Sequence, residues 1–152
     1  MRDPLKGTLF VTLVAVVALV GSGCDSSMEG TVPGDAAERS DATRQIVVDA
    51  SDDLRFDPAS IEVQVGEVVT FVVRNTGKID HEFVLGDEAY QDMHEAEMEG
   101  GNDMMEMGNA ITVAPGEARE LTWRFEDAGE VLYGCHEPGH YEGGMVGSIE
   151  VS

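Results

Sequence analysis

The stretch "GEVLYGCHEPGHYEGGMVGSIEVS", residues 129–152, places a loop rich in potential metal ligands between two strand-like runs. The flanking runs, GEVLYG and VGSIEV, contain β-branched and aromatic residues, which favours β-strands. Between them, Cys135, His140 and Met145 follow the spacing C-x4-H-x4-M. A loop between two adjacent strands can bring these three side chains toward one point.

The same strand-like pattern continues upstream through residues 45–128. Alternation is clearest at Ile61, Val63 and Val65, and turn residues such as Asp57-Pro58 and Pro115-Gly116 separate the runs. The remaining runs are QIVVDA, SIEVQV, EVVTFVVRN, HEFVLG, AITVA and ARELTWRFE. About eight short strands divided by turns predict an all-β protein, an antiparallel β-sandwich.

A fourth ligand for a metal in this loop must come from elsewhere, and the best candidate is His81, which follows the turn NTGKID. Two imidazoles, a thiolate and a weak thioether are the ligands of a blue-copper electron-transfer site. His136 is expected to have no ligand role, because its side chain points away from that of Cys135 on an extended loop.

Three other interpretations of these residues stay open. A zinc site is less suitable because zinc rarely recruits a thioether. A Cys-His hydrolase would need an accessible thiolate and an oxyanion hole, and it would leave Met145 without a role. In the third interpretation Cys135 is an inert buried thiol, His140 a surface histidine and Met145 core filling.

The combination of an early His near an Asn-Gly turn and a late Cys-His-Met loop resembles the cupredoxin family of blue copper proteins, over residues 45–152. The loop spacing is most similar to that of auracyanin and rusticyanin. The resemblance implies a Greek-key β-sandwich, one copper ion cycling between Cu(I) and Cu(II), and a non-enzymatic electron carrier. It places the copper ligands at His81, Cys135, His140 and Met145. Glu82 departs from the family, in which a polar residue such as Asn or Ser often follows the first His.

An acidic, methionine-rich insertion occupies residues 86–110. Its segment EAYQDMHEAEM, residues 88–98, predicts a short helix that ends at Gly100 and Gly101. Thioethers are soft ligands that select Cu(I), so the insertion is either a secondary Cu(I) site or an apolar lid beside the copper. It resembles the Met-rich segments of copper-resistance cupredoxins, which makes copper tolerance or delivery the alternative function. The candidate ligands are Met93, His94, Met98, Met104, Met105 and Met107.

The N-terminal residues predict export. Arg2 and Lys6 precede a short apolar run that ends in small residues, which is typical of a signal peptide over residues 1–24. Cys24 resembles the lipid-modified cysteine of bacterial lipoproteins, so we expect a membrane anchor on the periplasmic or extracellular face. Residues 25–44 are expected to form a flexible tether. Cys135 is then left without a disulfide partner in an oxidising compartment.

The formal net charge of −21 excludes nucleic acid as a partner, because a polyanion would be repelled. The expected partners are therefore proteins: a redox donor and acceptor, or copper-handling proteins.

Overall fold

The structure of this protein, a computed structural model, describes residues 30–100 and 108–152. This part of the chain contains ten strands, one 3-10 helix at Arg39–Asp41 and one α-helix. The strands are β1 (Asp35–Ala36), β2 (Arg44–Ser51), β3 (Arg55–Asp57), β4 (Ser60–Val63), β5 (Val68–Asn75), β6 (His81–Gly86), β7 (Ala110–Val113), β8 (Ala118–Arg124), β9 (Gly129–Gly134) and β10 (Val146–Val151). The helix α1 spans Glu88–Glu99.

The strands form two five-stranded sheets, in the orders β1-β8-β5-β2-β3 and β4-β10-β9-β6-β7. The predicted all-β sandwich is confirmed. The predicted antiparallel pairing holds for six of the eight strand pairs in the described ranges; the exceptions are β2 with β5 and β4 with β10, which pair in parallel. Between β2 and β5 the chain crosses to the other sheet to form β4, so it returns beside β2 in the same direction.

Four aromatic rings fill the space between the sheets next to the candidate ligands. Phe83 of β6 lies with its ring centroid 5.1 Å from Tyr133 of β9, 5.4 Å from Phe71 and 5.9 Å from Phe56. Phe71 and Phe56 belong to the other sheet, so the cluster joins both layers. This packing fixes β6 and β9, the strands that position the two parts of the candidate site.

The segment before β2 differs from the prediction of a flexible tether over residues 25–44. From residue 30 onward it packs on the sandwich: β1 pairs with β8, and Trp123 Nε1 donates a hydrogen bond of 2.9 Å to Pro33 O. Buried indole N–H groups usually find such an acceptor, and a backbone carbonyl supplies it here. Residues 1–29, with the predicted signal peptide and Cys24, lie outside the described residues. Within the described ranges, no helix has the length and apolar character needed to cross a membrane.

The predicted helix in the insertion is present and covers the outer face of β6 and β9. Gln91 Nε2 donates to Val84 O at 2.8 Å, and the ring of Tyr90 packs on Gly86. A Cβ atom at Gly86 would lie 2.4 Å from that ring, so the contact requires glycine. The helix therefore lies behind β6 and β9, the two strands that carry the candidate site.

Replacing Asp87 by alanine is expected to destabilise the fold by about 1–2 kcal/mol, the cost of a lost helix N-cap. Asp87 accepts hydrogen bonds from Tyr90 N, and from the backbone N and the hydroxyl of Thr31. Burial alone would raise the pKa of Asp87, but these hydrogen bonds outweigh it and lower the pKa. The stabilisation is thus present above the unfolded pKa and is lost as pH falls through the folded pKa.

Urea unfolding of metal-free protein between pH 3 and pH 7 measures this effect. Wild type should lose stability relative to Asp87→Ala at the acid end, so that the two curves converge. Asp92→Asn, an exposed carboxylate on the same helix, is the matched control and should follow wild type. A constant gap across the whole pH range would contradict the assignment to Asp87 ionisation.

Candidate metal centre

Three buried side chains from two distant parts of the chain converge at one end of the sandwich. The Nδ1 atom of His140 lies 3.3 Å from Cys135 Sγ, and the Nδ1 atom of His81 lies 3.8 Å from the same sulfur. One ligand atom from each residue falls within 4.8 Å of the other two. His81 begins β6 and Cys135 directly follows β9, so the sheet brings together the two regions that the sequence predicted to meet.

The backbone of the Cys-His-Met loop places Met145 beside this group. Cys135 N donates to Met145 O at 3.1 Å, and Met145 N donates to His140 O at 3.0 Å. The loop passes through Gly139 and Gly144, whose φ values of 79° and 89° suit a residue without a side chain. Met145 is fully buried, so all four predicted ligands lie in the same region.

The donor set fits copper. Both imidazoles direct Nδ1 toward the sulfur, and a thiolate with two imidazoles and a thioether suits both oxidation states of that metal. Burial raises the pKa of Cys135 to about 12, against an opposing hydrogen bond from Glu82 N. The thiol is therefore protonated at neutral pH without metal, and metal binding must release that proton.

The same environment argues against a catalytic thiol. Cys135 is 0% exposed, whereas a Cys-His nucleophile needs an accessible thiolate. Burial also lowers the pKa of His81, and the nearby His140 lowers it further. A neutral imidazole is the form that binds a metal.

Two residues that support the site were missed by the sequence analysis. Asp52 Oδ1 lies 3.4 Å from His81 Nε2, on the opposite side of the ring from the sulfur. Carboxylates in this position orient metal-binding histidines. Asn75 ends β5 and is buried, and its side chain closes the turn that leads to His81. The sequence NTGKID indicated a turn, but the role of its Asn depends on a contact with Val113, which is distant in sequence.

Replacing Asn75 by alanine is expected to cost about 1–3 kcal/mol in stability, because buried polar groups lose their partners. Its Nδ2 donates to Ile79 O at 2.6 Å and to Val113 O at 2.8 Å, and its Oδ1 accepts from Gly77 N at 2.9 Å. Because this turn positions His81, copper affinity should also fall by about 10–100-fold, as for other supporting residues.

Thermal unfolding of metal-free protein and competitive copper titration measure the two effects. Asn75→Asp keeps the acceptor and loses both donors, so it should recover only part of each loss. Val65→Ala, a truncation at a half-exposed apolar position, is the control that should leave both values unchanged. An Asn75→Ala variant with wild-type copper affinity would contradict the positioning role.

The residues that follow His81 and Cys135 point to the other face of the sheet. Glu82 contributes to the site through its backbone N–H, which donates to Cys135 Sγ at 3.3 Å, while its carboxylate lies 4.0 Å from His94 Nε2. His136 is hydrogen-bonded to helix α1 and is absent from the converging group. Glu82 thus contacts the sulfur through its backbone N–H and not through its side chain.

The methionine-rich insertion is only partly described. Met93 is 36% exposed on α1, whereas the neighbouring His94 is 4% exposed and faces the sheet. Met98 borders a cavity of about 130 Å³ together with Glu95 and His136. Met93 and His94 thus differ in exposure, and Met104, Met105 and Met107 lie outside the described residues. The predicted thioether site for Cu(I) stays a prediction.

Comparisons with known proteins agree with this geometry. Residues 42–152 match the family model for copper binding proteins of the plastocyanin/azurin family. The chain is 47% identical over 120 residues to the copper-resistant cuproprotein CopI of Rubrivivax gelatinosus, covering 78% of this chain and 71% of the relative. It is 34% identical over 171 residues to CopI of Pseudomonas aeruginosa, covering 92% and 94%.

Solved structures show the same fold. Reduced auracyanin from the photosynthetic bacterium Roseiflexus castenholzii superposes with a TM-score of 0.64 at 24% identity, covering 73% of this chain and 98% of auracyanin. The similarity in loop spacing noted in the sequence thus extends to the whole sandwich.

Proposed function

This chain belongs to the plastocyanin/azurin family of copper-binding proteins, and we propose that it serves copper tolerance by holding one copper ion through His81, Cys135, His140 and Met145. The observation that carries the proposal is the convergence of two imidazole Nδ1 atoms on one buried sulfur. Relatives of which this chain covers 71% and 94% are named copper-resistant cuproproteins.

The chemistry of the site suits a copper-holding role in an oxidising compartment. Bound copper would supply a one-electron couple between Cu(II) and Cu(I). The chain contributes a buried thiol that is shielded from oxidants, and a loop closed by backbone hydrogen bonds that fixes the ligand positions in advance. We propose that the protein is exported by its N-terminal signal, is anchored by lipid at Cys24, and exchanges copper with other copper-handling proteins outside the cytoplasm.

Growth at an inhibitory copper concentration tests this function. In a copper-sensitive bacterial strain, the full chain should restore growth at raised copper, and Cys135→Ser should not. Val65→Ala, which changes a half-exposed residue, is the matched control and should protect like wild type. Equal protection by Cys135→Ser at equal protein level would reject the role of this site in tolerance.

Electron transfer is the second candidate, because one ligand reaches the surface. His140 is 8% exposed, whereas the other three proposed ligands are 0% exposed. An edge of this kind gives electrons a short path to a redox protein. We infer a non-enzymatic role in either case.

Two measurements on the copper-loaded protein distinguish the candidates. An electron carrier should show reversible voltammetry and should retain Cu(I) against a competing chelator. A copper-handling protein should transfer Cu(I) to an acceptor within minutes. Electron transfer would be favoured if the protein retained Cu(I) and also failed to improve growth of the copper-sensitive strain at raised copper.

A further inference from the structure

A second group of polar side chains lies directly behind the copper site, on the other face of β6 and β9. Successive residues of a strand point to opposite faces, so His81 and Cys135 face the sandwich interior while Glu82 and His136 face helix α1. The helix contributes His94 to the same space, with its ring centroid 4.6 Å from that of His136 at an interplanar angle of 81°. The group is thus one residue removed from two proposed copper ligands.

His94 is the unusual member of this group. It is 4% exposed, and neither of its ring nitrogens has a hydrogen-bond partner. Glu82 Oε2 is also buried without a partner, at 4.0 Å from His94 Nε2. Burying polar atoms unsatisfied costs about 1–3 kcal/mol each. Two such atoms of complementary type, aimed at each other beyond hydrogen-bond distance, indicate a missing ligand.

The separation of these two atoms fits a metal ion. Bonds of about 2.0–2.2 Å from a metal to imidazole nitrogen and carboxylate oxygen span about 3.4 Å at a tetrahedral angle and about 4.2 Å when collinear. The observed 4.0 Å lies between these limits, and a tetrahedral ion would draw the two side chains together by about 0.6 Å. A bridging water with hydrogen bonds of about 2.8 Å at a tetrahedral angle would need about 4.5 Å.

The surrounding residues define which side chains are available. His136 is fully engaged, since its Nδ1 lies 2.6 Å from Glu95 Oε2 and its Nε2 lies 2.6 Å from Gln91 Oε1. Glu97, nearly one helical turn after His94, also has a buried Oε2 without a partner. Within the described residues, however, three such ligand atoms lie within 4.8 Å of one another at His81, Cys135 and His140 alone, so water rather than Glu97 must complete a site at His94 and Glu82.

We propose that His94 and Glu82 bind a second metal ion, a divalent transition metal of the Zn(II) or Cu(II) class. Imidazole and carboxylate are the donors that such ions prefer, whereas Cu(I) selects sulfur. The proposed site shares His94 with the thioether site predicted for the insertion, but its second ligand is a carboxylate instead of a methionine. It offers fewer close donors than the copper centre, so it should bind more weakly and complete its coordination with water. The proposal does not depend on the tolerance function.

Filling this site should be detectable at the first one. Glu82 provides a carboxylate to the second ion and a backbone N–H to Cys135 Sγ. A cation on that carboxylate would draw electron density from the N–H group and alter its hydrogen bond to the sulfur. The thiolate-to-copper absorption band should therefore shift without loss of intensity.

Equilibrium dialysis of the full chain tests the proposal. The protein is first loaded with one equivalent of Cu(II), then dialysed against Zn(II) with millimolar Mg(II) to occupy the surface carboxylates. Wild type should retain one zinc per chain in addition to the copper, and His94→Gln should lose it. Asp92→Asn removes an exposed carboxylate from the same helix and should retain the zinc. Zinc is the ion of choice because it rarely binds thioethers, so zinc retained by the protein is not held by the methionines.

Glu82→Gln is the second variant, with the same shape and no charge, and it should lower zinc affinity by at least about 10-fold as expected for a lost contact near a metal. The copper absorption of each variant reports whether the fold and the first site remain intact. Absence of a second equivalent in wild type, or its retention in His94→Gln, would overturn the proposal. Neither of these two results would change the copper absorption of the first site, so the proposed function would stand even if the second site did not exist. Repeating the dialysis with Cu(II) shows which of the two ions binds more tightly.

Discussion

Copper-loaded protein carrying Cys135→Ser is expected to lose essentially all of its intense visible absorption. The band arises from charge transfer between thiolate and Cu(II), and the described residues offer Cys135 as their one free cysteine. Serine preserves the size of the side chain but gives a hard oxygen donor that copper binds weakly in this geometry. Copper affinity should fall by more than the ~10–100-fold that loss of a merely supporting residue costs.

Met145→Leu provides the graded comparison. The axial thioether bond of such sites is weak and long, so this variant should keep the band, with altered position and a changed potential. Visible absorption and electron paramagnetic resonance during titration with Cu(II) measure both variants. An undiminished blue band in Cys135→Ser would mean that copper binds elsewhere in the chain, and the ligand assignment would have to be abandoned.

The ligands of the first site were predictable because their identity is local and chemically specific. The spacing of Cys135, His140 and Met145 between two strands survives in any sandwich that pairs those strands, and β9 and β10 do pair. His81 was harder to place, since its distance from the loop depends on β6 lying beside β9. The resemblance to a family indicated that these two strands are neighbours, which the hydrophobic pattern alone could not indicate.

The parts that were missed depend on contacts between distant residues. Parallel pairing of β2 with β5 follows from the path of the chain between the sheets, and no residue pattern encodes that path. The segment before β2 has the composition of a linker, yet Pro33 and Thr31 bind Trp123 and Asp87. One or two hydrogen bonds from such a segment to the folded domain do not change its amino-acid composition.

The group behind the copper site shows the same limit. His94 was grouped with the methionines because they are close in sequence, and the structure instead places it against Glu82 of β6. Strand alternation predicted that His136 points away from Cys135, and its side chain contacts helix α1. That argument gives the direction of a side chain, but the partners it meets there, Gln91 and Glu95, come from the helix.

Replacing Phe83 by alanine is expected to destabilise the metal-free protein by about 3–5 kcal/mol, the usual cost of removing a large aromatic side chain from a core. Phe83 is 0% exposed, and its ring contacts those of Phe71 and Tyr133 on opposite sides of the interior. The cavity left by this replacement would lie between the two sheets, next to the copper site. Domains of this size are stable by about 5–15 kcal/mol, so the loss is a large fraction of the total.

Urea unfolding followed by Trp123 fluorescence measures this loss, with Val65→Ala as the half-exposed control, expected to change stability by less than about 0.5 kcal/mol. Because Phe83 is two residues from His81 on the same face of β6, its removal should also loosen that ligand. Copper should then restore part of the stability, since the assembled site binds it more tightly than the unfolded chain does. A Phe83→Ala variant within about 1 kcal/mol of wild type would mean that the core collapses around the gap, and that the aromatic cluster does not hold the two sheets together at the copper site.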